Sequence, residues 1–204
     1  MSFIENLNWR YATREFSGKK ISTDILEKIL LAIRMTPSAF GVQPYHITVI
    51  EDAKIKKTLK PFAWNQDQID TCSHLLVFSA DLNTVKRIDD FLKLAEEAKL
   101  TEITDDPEYD YRKEFNNFVK EMGPEWSAKQ TYITLGFALA ACAELKIDSC
   151  PIEGFEPKNF EKVLNLPTDL DPKFCLAIGY RSPNDTHLKS PKIRFSKKDL
   201  FDFR

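Results

Sequence analysis

Cys150-Pro151-Ile152-Glu153-Gly154-Phe155 follows a long apolar helical pattern and leads into a second helical pattern at Glu156-Pro157. It reads as a tight, exposed turn. Pro151 fixes one φ angle, and Gly154, with no Cβ, admits positive φ, so the Glu153 and Gly154 amides can be presented bare to a ligand. A flat molecule could approach such a backbone closely. Taken alone, the hexapeptide reads more readily as an ordinary helix-to-helix connection, so the surrounding chain has to decide its meaning.

Upstream, residues 126–146 form a helical pattern with apolar or small residues on nearly every face between Ile133 and Ala143, including Gly136, Ala138, Ala140 and Ala141. A helix apolar all round must be covered all round. That predicts packing on its own sheet and on a second copy, hence a homodimer. Downstream, Glu156-Pro157 supplies the N-cap and first position of a helix to about Leu164. Residues 173–180 then alternate Phe174, Leu176 and Ile178 against Cys175 and Ala177, as a strand does.

Nearer the start, Ser22 is placed to cap a helix whose Leu26, Ile29, Leu30 and Ile33 share one face. A proline-bracketed loop, Thr36 to Pro44, separates it from a strand at 45–50. Asp52 caps a short helix to about Lys60, residues 65–70 form a loop and a helical turn, and the unbroken apolar run 74–80 suits a buried central strand. Helices follow at 83–99 and about 108–122, the second carrying Phe115 and Phe118 and ending at Gly123-Pro124. Between them, the acidic connection Leu100 to Pro107 is expected to be mobile.

The 204 residues, 43% of them hydrophobic, contain no Gly/Ser/Pro-rich linker, which predicts one domain spanning residues 1–204. A net charge of −2 argues against nucleic acid as a partner. Cys72, Cys142, Cys150 and Cys175 lack C-x-x-C spacing and read as reduced core residues. No signal-peptide pattern opens the chain, and its longest apolar run, 133–145, falls short of the roughly 20 residues that cross a bilayer. A cytoplasmic protein without membrane contact is expected.

The six glycines, at 18, 41, 123, 136, 154 and 179, are too scattered for a dinucleotide fingerprint or a P-loop. His46, His74 and His187 have no metal-binding spacing, so no metal is expected, and no G-x-S-x-G elbow supports an activated nucleophile. What remains is three separated segments: Arg10 and Arg14, the turn at Glu153-Gly154, and Lys192 with Arg194 on one side of an extended tail. Each has a plain alternative as solvated charge or ordinary loop. Together they suit one planar, phosphate-bearing ligand, with Arg10, Lys192 and Arg194 on the phosphate and Arg14 and bare amides on a polar ring edge. A ring cofactor without a protein nucleophile points to cofactor chemistry.

The ordered motifs Arg10 to Phe16, Pro37 to Pro44, Asn65 to Phe78, Pro151 to Phe155 and Lys192 to Arg194 resemble those of the FMN-dependent nitroreductase family. The likeness covers nearly the whole chain and is nearest to the branch of oxygen-insensitive NAD(P)H nitroreductases and dihydropteridine reductase-like enzymes. It implies an α+β fold, a central mainly antiparallel sheet flanked by helices, in an obligate homodimer with FMN at the interface.

By the same resemblance, Arg10, Lys192 and Arg194 hold the FMN phosphate, with backbone contacts from Tyr11 and Ala12. Pro37, Ser38, Ala39 and Gly41 come from the partner subunit. Asn65 and Arg14 reach the pyrimidine edge, and Gln68 stands near it where the branch usually has Lys; the branch also usually has Lys where this chain has Arg14, and often Ser where it has Ala12. Pro151, Ile152, Glu153 and Gly154 lie against the ring, a Glu153 or Gly154 amide donating to N5, while Arg14 stabilises the negative charge gained on reduction. Phe115 projects over the open face of the ring. The implied activity is ping-pong hydride transfer from NADH or NADPH to a nitroaromatic, quinone or related acceptor. Two alternatives stand: a flavin, pteridine or quinone reductase with nitro reduction as a side activity, and a non-catalytic FMN-binding redox sensor or store, to which the uncharged Gln68 lends support.

Overall fold

The structure, a computed structural model, describes residues 2–98, 109–123 and 125–204, so the connection expected at Leu100 to Pro107 lies outside the described residues. The chain opens with α1 (Phe3–Trp9), started by a capping box between Ser2 and Glu5, and continues with α2 (Thr23–Arg34) and β1 (Tyr45–Ile50). Next come α3 (Ala53–Leu59), α4 (Gln68–Thr71), β2 (His74–Asp81), α5 (Thr84–Glu97) and α6 (Tyr111–Met122). The long α7 (Trp126–Glu144), β3 (Asp148–Ile152), α8 (Pro157–Leu164), β4 (Leu170–Gly179) and a short α9 (Lys197–Leu200) complete it.

Local signals account for most boundaries. Asp52 Oδ1 accepts from the Lys54 and Ile55 amides at 2.6 and 3.1 Å, and Asn83 and Asp110 cap α5 and α6 through their side chains. Gly123, at φ 76°, closes α6. Ser22 stands at the start of α2 as expected, but its side chain makes no capping bond there.

The four strands form one antiparallel sheet in the order β1-β2-β4-β3, and with the helices around it the fold is α+β. Side-chain alternation along β2 and β4 divides the core between the two faces. Leu76, Phe78, Phe174, Leu176 and Ile178 meet Ile29 and Ile33 of α2 and Ala138 and Cys142 of α7. Leu75, Val77, Cys175 and Ala177 face the other way, against Leu59, Ile69 and Phe160. The alternation read in residues 174–178 therefore separates two hydrophobic layers, and all four cysteines are buried and unpaired.

Two expectations about strands need correcting. Cys150, Pro151 and Ile152 are not a turn but the end of edge strand β3, where Pro151 is tolerated because its missing N–H lies on an edge; the bend is confined to Glu153 and Gly154. β4 begins at Leu170, ahead of Pro172, and a register shift opposite, between Phe78 and Ser79, accommodates the proline.

Gly179 ends β4 against the N-terminal segment, where a Cβ would lie 2.8 Å from Phe16 Cδ1 and 3.1 Å from the Ser73 backbone nitrogen. Gly179→Ala is therefore expected to destabilise the fold by about 1–3 kcal/mol, lowering Tm by roughly 3–10 °C in a thermal melt. An unchanged Tm would mean that Phe16 and Ser73 are free to move aside.

Candidate functional site

The segment carrying Arg10 and Arg14 lies along the outer edge of β3. Ala12 bridges Ser149 in parallel, and the Thr13 amide donates to the Ser149 carbonyl at 3.3 Å. Two side chains beyond β4 hold it there. The Arg181 guanidinium packs 4.5 Å from the Trp9 ring and 4.8 Å from the Tyr11 ring, while its Nε donates to the Asp148 carboxylate at 2.6 Å. Buried Asp185 accepts from the Arg14 amide at 2.9 Å, the His187 amide at 3.0 Å and the Tyr11 hydroxyl at 3.1 Å. Burial alone pushes the Asp185 carboxyl up, but the N–H bonds from Arg14, His187 and Glu15 and the Tyr11 hydroxyl outweigh it and hold it below the usual carboxylate range.

These clamps bring the two ends of the chain together. Arg10, Arg14, His187, Lys192 and Arg194 line one cleft of about 290 Å³. Neither Arg10 nor Arg14 has a carboxylate partner among the described residues, and the buried Arg10 Nε has no hydrogen-bond acceptor. Burial and then Arg194 lower the Arg10 pKa; burial, Arg10 and Arg194 lower that of Lys192. Crowded like charges of this kind are relieved by an anion. Lys192 meanwhile rests its ammonium on the Leu7 and Asn8 carbonyls at the end of α1.

From the cleft the site continues along β3. An Arg14 N–H reaches Cys150 Sγ at 3.6 Å, and burial pushes the Cys150 thiol up, so it meets the guanidinium as a neutral group. Beyond Ile152 the Phe155 amide bonds the Glu153 carbonyl at 3.0 Å and the Glu156 amide bonds the Phe62 carbonyl at 2.8 Å. The Glu153 and Gly154 amides have no acceptor among the described residues. They are the two bare donors anticipated from the sequence, although for a different reason: Gly154 does not adopt positive φ. Glycine instead lets the Trp64 ring lie against the bend: a Cβ would stand 2.5 Å from Trp64 Cζ3 and displace the ring.

Trp64 and Asn65 both sit in the left-handed region, at φ 54° and 55°. Asn tolerates this; Trp does so at a cost of about 1–3 kcal/mol. The pair sets the Trp64 ring, 69% exposed, beside the Glu153-Gly154 bend and leaves Asn65 exposed next to it. Gln68 departs from expectation. It is only 3% exposed and gives its amide to Gln66 Oε1 at 2.9 Å, so it meets the bend through Gln66 alone, whose Nε2 donates to the Gly154 carbonyl at 2.8 Å.

Pro37, Ser38, Ala39 and Gly41 do not line the cationic cleft of their own chain. Their loop is tied to α7 by the Ala39 amide, which donates to Gln130 Oε1 at 2.9 Å, and Gly41 packs on Phe91. Phe115 is a plain correction. At 0% exposure it is buried among Val42, Ile88 and Trp126, with its ring edge-on to Phe40 and Trp126, and cannot project over an open site. The amphipathic period of α6 carried the signal for this, because an aromatic on its apolar stripe faces the core. Sequence reasoning also missed Asp148, Arg181, Asp185 and His187; only Asp185 and His187 stand near the tail cations in sequence, and nothing local marked Asp148 or Arg181.

Residues 7–180 match the profile described as the Nitroreductase family. The curated protein "Putative NAD(P)H nitroreductase SERP2086" of Staphylococcus epidermidis is 31% identical over 215 residues, covering 99% of this chain and 96% of its own. Among solved structures, ydfN of Bacillus subtilis matches with a TM-score of 0.85 at 21% identity, covering 99% of this chain and 98% of its own. A protein of Exiguobacterium sibiricum solved in complex with FMN matches at 0.81 and 21% identity, covering 100% and 98%. At these identities the structural likeness speaks to the fold. The sequence match, end to end in both chains, speaks to descent: the chain belongs to the nitroreductase family of oxidoreductases.

Proposed function

We propose that the chain is an FMN-dependent NAD(P)H oxidoreductase that passes two electrons, as hydride, from NADH or NADPH to a nitroaromatic, a quinone or a similar electron-poor acceptor. The observation that carries this reading is the continuous strip from three crowded cations, through Arg14 and Cys150, to two bare amides. Its donor set fits FMN: a dianion at one end and a hydrogen-bonding ring at the other. FMN, held there by Arg10, Lys192, Arg194 and the β3 edge, would supply the two-electron hydride chemistry that no side chain of this chain provides.

Within this reading Arg10, Lys192 and Arg194 bind the phosphate by charge-assisted hydrogen bonds, with Tyr11 and Ala12 offering backbone. Arg14 and Asn65 address the polar ring edge, and the Arg14 charge favours the negative charge gained on reduction. The Glu153 and Gly154 N–H groups, which follow Pro151 and Ile152 at the end of β3, would be the backbone donors to the ring. No side chain has to act as a nucleophile. The sensor alternative drew support from a missing charge at Gln68, which is buried and spent on Gln66.

The same reading makes the chain a homodimer. Ile133, Gly136, Phe137 and Ala140 of α7, with Phe3 and Ala32, line an open apolar cleft of about 700 Å³ on the face turned from the sheet. Phe195 and Phe203 of the tail are 78% and 79% exposed, more bare aromatic surface than a lone chain carries comfortably. A second copy would cover both and bring its Pro37, Ser38, Ala39 and Gly41 to the flavin. Among the described residues no helix is long and apolar enough to cross a membrane. Four unpaired buried thiols suit a cytoplasmic location.

The purified protein is expected to be yellow, to elute at twice its 23.6 kDa chain mass, and to bleach without oxygen when NADH or NADPH is added. A yellow protein that neither nucleotide bleaches would support the sensor, and a colourless one that refuses added FMN would contradict the assignment. Arg10→Gln should weaken FMN binding by roughly ten- to a hundredfold in a fluorescence titration, the worth of a hydrogen bond to a charged group.

A further inference from the structure

The Glu153-Gly154 bend is gripped by two elements distant from it in sequence, the loop after α3 and the helix α7. From the loop after α3, Gln66 Nε2 donates to the Gly154 carbonyl at 2.8 Å, itself steadied by buried Gln68 at 2.9 Å, while the Trp64 ring closes over the Gly154 Cα. From α7, the Tyr132 hydroxyl donates to Glu153 Oε1 at 2.5 Å. The Tyr132 ring is set by Phe174 of β4, their centroids 4.8 Å apart. Between these grips stand the two amides without an acceptor.

We propose that Tyr132 and Gln66 are positioning residues that clamp the Glu153-Gly154 bend, Tyr132 through the Glu153 side chain and Gln66 through the Gly154 carbonyl, and so aim the Glu153 and Gly154 N–H groups into the ring site. The proposal rests on the flavin reading above and adds to it the residues that orient the donors. Each peptide plane in a bend turns about one soft ψ before it and one soft φ after it, and donors help a reacting ring only if they are already aimed when charge develops. Gln66 fixes the carbonyl side of Gly154. Tyr132 holds the Glu153 carboxylate toward α7, where it cannot fold back and occupy the Gly154 N–H as a competing acceptor. Burial and the Glu153 carboxylate push the Tyr132 hydroxyl up to about 12, so it remains a donor throughout the physiological range.

Backbone nitrogen-15 relaxation of the flavin-free protein tests the clamp, with FMN affinity as a second readout. Tyr132→Phe keeps the ring on Phe174 and removes the donor; Gln66→Ala removes the other grip at an independent site. Each is expected to lower the order parameters of the Glu153 and Gly154 N–H vectors from about 0.85 toward about 0.6 while those of β2 stay high, and to weaken FMN binding by about tenfold, the worth of one hydrogen bond. Unchanged order parameters at Glu153 and Gly154 in both variants would overturn the clamp. Lower order parameters with unaltered FMN affinity would overturn its role in aiming the donors. If the wild-type chain binds no FMN at all, the flavin reading fails, and the relaxation data still decide whether the clamp exists.

Discussion

The burial of β2 on both faces is the constraint on which the rest of the structure depends. Its first seven residues are shielded from solvent, which β1 and β4 achieve by pairing on either edge and two helical layers achieve by covering the faces. Because strand side chains alternate, β4 must supply Phe174, Leu176 and Ile178 to one layer and Cys175 and Ala177 to the other. α7 belongs to the first layer, and α3, α4 and α8 to the second. β3 is left as the outer strand on the β4 side, opposite β1, and the candidate site forms there.

An edge strand offers what an interior strand cannot: backbone free for another segment. The Arg10–Arg14 segment takes part of that edge through Ala12 and Ser149, and Pro151 then ends the possibility of further pairing. Beyond it the Glu153 and Gly154 amides remain unspent. The cations come to the same place because Arg181 and Asp185, just past β4, fasten the two ends of the chain to each other. The anion cleft and the donor turn are therefore two stretches of one edge. The strained Trp64-Asn65 pair, standing against Gly154, completes the wall on the side away from α7.

Elements with a strong period were legible in the sequence. β2, the alternation of β4, the cap at Asp52 and the start of α8 at Pro157 follow from local physics and agree with the structure. β3 was not legible: five residues containing a proline look like a turn until a neighbouring strand is known, and that pairing with β4 is nonlocal. The convergence of Arg10 with Lys192 and Arg194 could be argued from charge and residue type. The buried acids that enforce it, Asp148 and Asp185, could not, because a lone Asp in a polar stretch carries no period. Phe115 shows the opposite error. A role borrowed from likeness placed it over a site, whereas its own position on the apolar stripe of α6 places it in the core.

The central claim is that cations from both ends of the chain hold a phosphate while the β3 edge holds the attached ring. Titrating the flavin-free protein with FMN and, separately, with riboflavin separates the two contributions in one measurement. With Arg10, Lys192 and Arg194 on the phosphate, FMN should bind at least about a hundredfold more tightly, the worth of one to two charge-assisted hydrogen bonds. Equal affinity for the two flavins would show that the cleft takes no phosphate and would contradict the account.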